Sequence, residues 1–358
     1  MNEHQPAFHV AVEDLERFID QALQAAGADM ASAEATTRAL VTASRMGTDS
    51  HGLRLLPHYV RALEGGRING HPALRFSQRL PATGYLDADD ALGHLAGYRA
   101  MAEASEMAEA VGVGAVAVGK SSHFGAAGCY ALAAAERGLI GLAVCNSDAF
   151  VLLHEGTVPF HGTNPIAFAA PVAGERPYLL DMATSSIPWN RVQQYGAIGR
   201  ELPDQVAADG AGRVTRTPRE VAALLPLGGS DFGFKGAGLG GMVEVLSSTL
   251  SGMLNGFRLL PMGGPDFATP RGVGHFFLAM QPEAFVESDA FAAGLRDYLA
   301  DLRAQPAQEG SEVLAPGDRE WRCLACRDVE GIPLDSANQV AYAALAERFG
   351  LRPLAPLR

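Results

Sequence analysis

Cysteine is scarce, four residues in 358, and no apolar run approaches the roughly 20 residues that a membrane-spanning helix requires. Disulfide stapling is thereby excluded as the main source of stability, and the 48% of hydrophobic residues must supply it through burial. Positive charge is short as well. A formal net charge of -12 at pH 7, with no basic patch, argues against nucleic acid or an anionic membrane as a partner. The opening MNEHQPAFHVAVEDLERF is polar and acidic where a secretory leader would carry basic residues and then an apolar run, so a cytoplasmic location is expected. Internal repeats and low-complexity tracts are lacking too, and the length suits two or so domains.

The four thiols read as reduced and structural. Cys129 and Cys145 sit in apolar surroundings, and Cys323 and Cys326 form a C-x-x-C without the second pair or the histidines that zinc would need. No metal site is expected.

Glycine, by contrast, is plentiful, 41 residues, and it produces nucleotide-motif matches. Gly114, Gly119, Lys120 and Ser121 satisfy the phosphate-loop pattern G-x-x-x-x-G-K-S. The interior of that match is Ala115-Val116-Ala117-Val118, which reads as a buried strand, and a helical pattern over 99–110 stands where the preceding strand should be. Gly112 to Ala117 fits G-x-G-x-x-A and Gly236 to Gly241 fits G-x-G-x-x-G, yet neither clearly follows a strand as a dinucleotide fingerprint must. A phosphate-loop nucleotide binder is the alternative these matches leave.

Apolar periodicity places helices over 12–26, with Gly27 as its cap, over 31–45, and from Pro57 to Gly65-Gly66, followed by a linker over 67–72. The centre alternates strands over 113–119, 139–145, 166–170 and 177–181 with a helix over 125–137, an α/β pattern. An irregular polar excursion is expected over 190–218, then a helix over 237–253, a strand over 275–280, and helices over 288–303 and 336–349.

Residues of catalytic type collect at the interruptions. They are Asp49-Ser50-His51-Gly52 with Arg54, Ser121-Ser122-His123-Phe124-Gly125, Asn146-Ser147-Asp148, Thr163-Asn164, Asp181 to Thr184, and Lys235. Several follow strands, where open α/β sheets place ligands. Singly, each also has a structural reading as a helix cap or turn residue.

Taken together, DSHG with its following arginine and proline, SSHFGAAG, GTNPIAFAAP, LDMATS, FKGAGLGGMVEVL and APGDRE resemble the malate/L-lactate dehydrogenase family. This group is unrelated to the Rossmann lactate and malate enzymes and includes ureidoglycolate dehydrogenase, diketogulonate reductase and piperideine-2-carboxylate reductase. The order of motifs matches along nearly the whole chain, and CNSDAF with HGTNPIAFAAP is most similar to ureidoglycolate dehydrogenase. The resemblance implies an α/β fold with a non-Rossmann NAD(P)-binding domain and a mixed sheet, residues 71–287, plus a helical domain built from both chain ends, 1–70 and 288–358. It also implies a homodimer that completes the site, and hydride transfer between NAD or NADP and a 2-hydroxy or 2-keto acid of malate, lactate or ureidoglycolate type. Reduction of a cyclic imino acid by NADPH is the alternative on the same scaffold.

Removing hydride from a secondary alcohol leaves a proton on oxygen, and a histidine that titrates near neutrality suits its transfer. By the resemblance, His51 takes that role with Ser50 as its hydrogen-bonding neighbour, and His123 is the rival. A substrate carboxylate calls for arginine. Relatives carry it four positions after the histidine, whereas here Leu55 stands there and Arg54 lies one position earlier. Thr163 and Asp148 complete the expected substrate contacts. The cofactor contacts implied are His123, Phe124, Gly125, Ala126, Ala127, Ser147, Asp181, Met182, Ala183, Lys235, Pro316, Gly317 and Arg319.

Overall fold

The computed structural model describes residues 8–357. Strand β1 (Phe8–Val10) leads into helices α1 (Val12–Ala25), α2 (Met30–Arg45) and α3 (Leu56–Glu64). Leu15, Phe18, Ile19, Ala22 and Leu23 are buried along one face of α1, as the helical period dictates. Asp29 opens α2 by accepting a hydrogen bond from the Ser32 amide at 2.8 Å. A hairpin, β2 (Arg75–Leu80) and β3 (Thr83–Asp87), precedes α4 (Gly93–Val111), β4 (Val113–Ser121), α5 (Gly128–Ala135) and β5 (Ile140–Cys145). Next come β6 (Val151–Leu152), β7 (Pro159–His161), β8 (Ile166–Ala170), β9 (Tyr178–Met182), α6 (Trp189–Ala197), β10 (Ala207–Ala208) and β11 (Ala223–Leu224). Helix α7 (Gly229–Glu244) continues as a π turn over Val245–Thr249. The chain closes through β12 (Val273–Met280), α8 (Ser288–Arg303), α9 (Asp318–Glu330), β13 (Ile332–Leu334) and α10 (Ser336–Phe349).

The main sheet has seven strands in the order β2-β3-β4-β12-β5-β8-β9. Only β3 and β4 pair in parallel, and β12 lies antiparallel between β4 and β5. That insertion separates this mixed sheet from a doubly wound parallel one. A four-stranded sheet, β10-β11-β6-β7, lies to one side, and β1 pairs with β13.

Small residues explain how α4 lies on the sheet. Ala96, Ala100, Ala104 and Ala108 are fully buried along it, and a Cβ at Gly114 would stand 2.0 Å from the Ala104 carbonyl oxygen. At Gly119 a Cβ would stand 2.1 Å from the Tyr85 hydroxyl. Both glycines of the phosphate-loop match are therefore packing requirements inside a strand, and that reading is overturned. The other two matches fail similarly: Gly112 ends α4 with φ +90°, and Gly236 lies inside α7 against the Leu227 backbone.

Apolar contacts sort into distinct clusters. One joins the main sheet to α4 and α5. A second joins Leu15, Phe18, Leu40, Leu56 and Tyr59 near the start of the chain to Ile332, Leu334, Tyr342 and Leu345 near its end. Leu299 of α8 packs instead with Val172 and Ala315.

Several expected elements differ in extent. The helix expected over 125–137 shortens to α5, because residues 123–127 form the cavity wall described below. The helix expected over 237–253 begins at Gly229, and the excursion over 190–218 contains most of α6. Among the described residues no helix is long and apolar enough to cross a membrane.

Candidate active site

A cavity of about 420 Å³ opens where the ends of β4, β5 and β9 meet the turns after α2, within the roughly 300–1,000 Å³ typical of small-molecule sites. Its walls bring together most of the residues singled out in the sequence: Ser50, His51, His123 to Ala127, Ser147, Asp148, Thr163 and Asp181 to Ala183.

Two histidines face it from unrelated elements. His51 ends a 3-10 turn, Asp49–His51, and its Nδ1 lies 2.9 Å from the Ser50 Oγ. His123 follows β4, and its Nδ1 lies 2.7 Å from the buried Tyr59 hydroxyl and 3.4 Å from the Gly125 amide nitrogen. An amide N–H can only donate, so both contacts make Nδ1 an acceptor and leave the proton of a neutral His123 on Nε2. The rings stack with centroids 5.8 Å apart. Burial lowers the pKa of both, most strongly at His123, where the neighbouring His51 and His58 add to the effect, so both are neutral at pH 7.

Opposite them, a buried network fixes the hydroxyls. Glu244 accepts from the Asn164 side-chain amide at 3.0 Å, Asn164 accepts from the Ser147 amide at 3.1 Å, and the Thr163 amide donates to Ser147 Oγ at 3.1 Å. Gly162 permits this approach, since a Cβ there would stand 2.1 Å from Ser147 Oγ.

The loop over 123–127 turns on Gly125, whose φ of +72° favours glycine and whose Cβ would meet His94 Nε2 at 3.1 Å. Glycine is thus required where the loop packs on the buried His94, and the turn lays residues 123–127 along the cavity wall, where with Ser147 and Asp181 they offer the polar groups that would hold a dinucleotide. Asp181 presents its carboxylate to the cavity while accepting from the Gly128 amide at 2.9 Å, and surrounding protein raises its pKa to about 6.

Other expected residues stand elsewhere. Arg54 and Lys235 are exposed and outside the cavity; Lys235 lies 5.2 Å from the Phe232 ring centroid. Pro316 accepts from the Leu179 amide at 3.2 Å, and a Cβ at Gly317 would stand 3.1 Å from the same nitrogen, but of α9 it is Glu320, not Arg319, that reaches the cavity. Asp148 lines the wall with both oxygens engaged, by the buried Arg271 guanidinium and by the Met262 amide. Among the described residues no lysine or arginine lines the cavity, and none form a cluster of three metal-ligating side chains.

Sequence reasoning missed Met46, Leu55, His58, Phe150, Trp189, Asn190, Met262 and Glu320. His58 falls within the helix expected from Pro57, and Leu55 stands where relatives carry an arginine, but nothing local marks either as part of a cavity wall. Trp189 and Asn190 lie where no regular structure was expected, and α9 buries only Leu324 fully, so it has almost no apolar period to read. Helix α9 is nevertheless tied to the site: Arg327 donates to Asp49 at 2.9 Å, and Arg45 pairs with Asp328 at 2.7 Å.

The chain matches the sequence profile described as malate/L-lactate dehydrogenase over residues 10–341. It is 35% identical over 341 residues to the malate dehydrogenase of Pyrococcus abyssi, covering 92% of this chain and 93% of that one. It is 32% identical over 326 residues to the ureidoglycolate dehydrogenase (NAD(+)) of Escherichia coli O157:H7, covering 91% and 92%. The solved malate dehydrogenase of Pyrococcus horikoshii OT3 superposes with a TM-score of 0.89 at 30% identity, covering 98% of each chain.

Proposed function

Since the chain belongs to the malate/L-lactate dehydrogenase family, we propose that its cavity transfers a hydride between NAD or NADP and a 2-hydroxy or 2-keto acid, with His51 moving the accompanying proton. The observation that carries this reading is the stacked pair His51 and His123 facing Ser147 and Thr163 across one cavity.

The two rings suit different tasks. Ser50 can accept from His51 Nδ1–H, which turns the Nε2 lone pair of a neutral ring toward an alcohol proton. His123, with its proton on Nε2, donates to the same oxygen and holds it in place. Thr163 and Ser147 supply hydroxyls for the acid, and Gly125 with Asp181 to Ala183 would receive the dinucleotide, Asp181 through a ribose hydroxyl. When bound, the cofactor supplies the hydride acceptor or donor.

The two-part organisation, 1–70 with 288–358 against 71–287, is part of the proposal. The cluster joining α1 and α3 to α10 supports it, while α8 packs beside Val172. A homodimer is supported by exposed Met242, Val245, Leu250 and Leu254, together with Phe160 and Phe257, whose rings stack at 4.6 Å. The deciding experiment is a spectrophotometric screen of the 2-keto acids that correspond to malate, lactate and ureidoglycolate, and of cyclic imino acids, with NADH and NADPH. Oxidation of cofactor with a 2-keto acid is expected; turnover with imino acids alone would move the reading to imine reduction, and none at all from folded protein would overturn it.

A further inference from the structure

His58 occupies the cavity wall one helical turn beyond Leu55, at the start of α3. Its ring makes no hydrogen bond with any described residue, its nitrogens are not among the buried, unpartnered atoms, and the residue lines the cavity, so a donor is available there. Around it the charges are unbalanced. Its ring lies 5.9 Å from that of Phe267, over which stand the guanidiniums of Arg67 at 4.9 Å and Arg61 at 5.2 Å. Arg67 spends its hydrogen bonds on the backbone carbonyls of Pro261, Met262 and Asp266, and Arg271 engages Leu260 O and Asp148. Three guanidiniums, Arg61, Arg67 and Arg271, thus face two carboxylates, Asp148 and Asp266, leaving one positive charge in excess with no arginine on the cavity surface.

We propose that His58 receives the substrate's carboxylate, its ring N–H donating to one oxygen while the excess charge of the arginine group behind it stabilises the anion. A carboxylate needs a donor and a positive potential, and here the two come from different residues. Burial and the three arginines lower the pKa of His58 to about 3, so the free ring is neutral and offers one N–H and one lone pair. Leu55, beside it, removes the competing bidentate site and leaves apolar surface with Met46, Phe150 and Met262. The substrate class is therefore a 2-keto or 2-hydroxy acid whose carboxylate is held by a single hydrogen bond and whose other end is apolar.

This rests on the function proposed above, and the test separates the two. Oxalate, a mimic of the 2-keto acid, is titrated calorimetrically into protein loaded with NADH. His58→Phe is expected to weaken oxalate by about tenfold or more, as for a lost hydrogen bond to a charged group, with NADH affinity retained. Adding Leu55→Arg to His58→Phe is expected to restore it. His58→Gln, which keeps an N–H donor, is expected to lose less and decides the matter should the phenylalanine variant fail to fold. Oxalate binding that survives both His58 variants, that is lost in Arg54→Ala instead, or that is absent from the wild-type NADH complex overturns the proposal. Failure of NADH itself to bind overturns the function on which it rests.

Discussion

The turn that carries His51 and the loop that carries His123 bring their rings together in one cavity, yet they are held by opposite means. The first is local: Ser50 is the immediate neighbour of His51, and a hydroxyl can donate or accept. The second is assembled from distant elements, with Tyr59 on α3 and Gly125 both donating to His123, His275 on β12 stacking on Phe124 at 4.7 Å, and His94 on α4 lying against Gly125. A ring whose partner can reverse its role can exchange a proton, whereas a ring pinned by two donors can only offer one. The division of labour proposed for the histidines rests on what holds each.

The sharpest break of that comparison is His51→Ala, expected to lower kcat by about a hundred- to ten-thousandfold, with His123→Ala raising KM proportionately more. Steady-state kinetics in both directions would check it, and the reverse pattern would exchange the two roles. Acid should strike the second region next. His94 and His275 are fully buried, with pKa values lowered to about 3 chiefly by desolvation, and His94 has no hydrogen-bond partner for either nitrogen. Their neutral forms are favoured in the folded state, so the stability they contribute is complete above the unfolded value near 6.5 and is lost as pH falls toward 3. Between pH 7 and 5 each should cost about 2 kcal/mol, read as a falling urea midpoint. Replacing both with phenylalanine should flatten that slope.

Smaller effects separate the supports. Tyr59→Phe removes one of the two donors that set the His123 proton and should cost about tenfold in kcat/KM with the unfolding midpoint less affected. Ser50→Ala should cost only about threefold to fivefold, because water can replace a hydroxyl beside an open cavity. A larger loss at Ser50 than at Tyr59 would mean that the local turn, and not the assembled loop, sets the geometry.

These contrasts also explain what could be read from the sequence. Helices α1 and α2 announce themselves through apolar period and caps, and β8, α8 and α10 occupy the expected residues. The outer hairpin β2 and β3 went unseen because Arg75–Leu80 is mostly exposed and carries no apolar alternation. Helix α9 hid for the same reason. His51, His123, Ser147 and Asp181 were legible because their motifs resemble known ones, and the structure brings all four to one cavity. His58 was not, because its chemistry comes from arginines 3 to 213 positions along the chain, Arg61, Arg67 and Arg271, which no local pattern connects.

Helix α9 runs beside the cavity like a tie-rod. Near its start Glu320 forms part of the wall, and near its end Arg327 grips Asp49, the residue that begins the turn bearing His51. A shift of that helix would bear on the wall at Glu320 and, through Asp49, on the turn that carries His51. One helix thus braces two parts of the cavity that are 271 positions apart in the chain, Asp49 and Glu320.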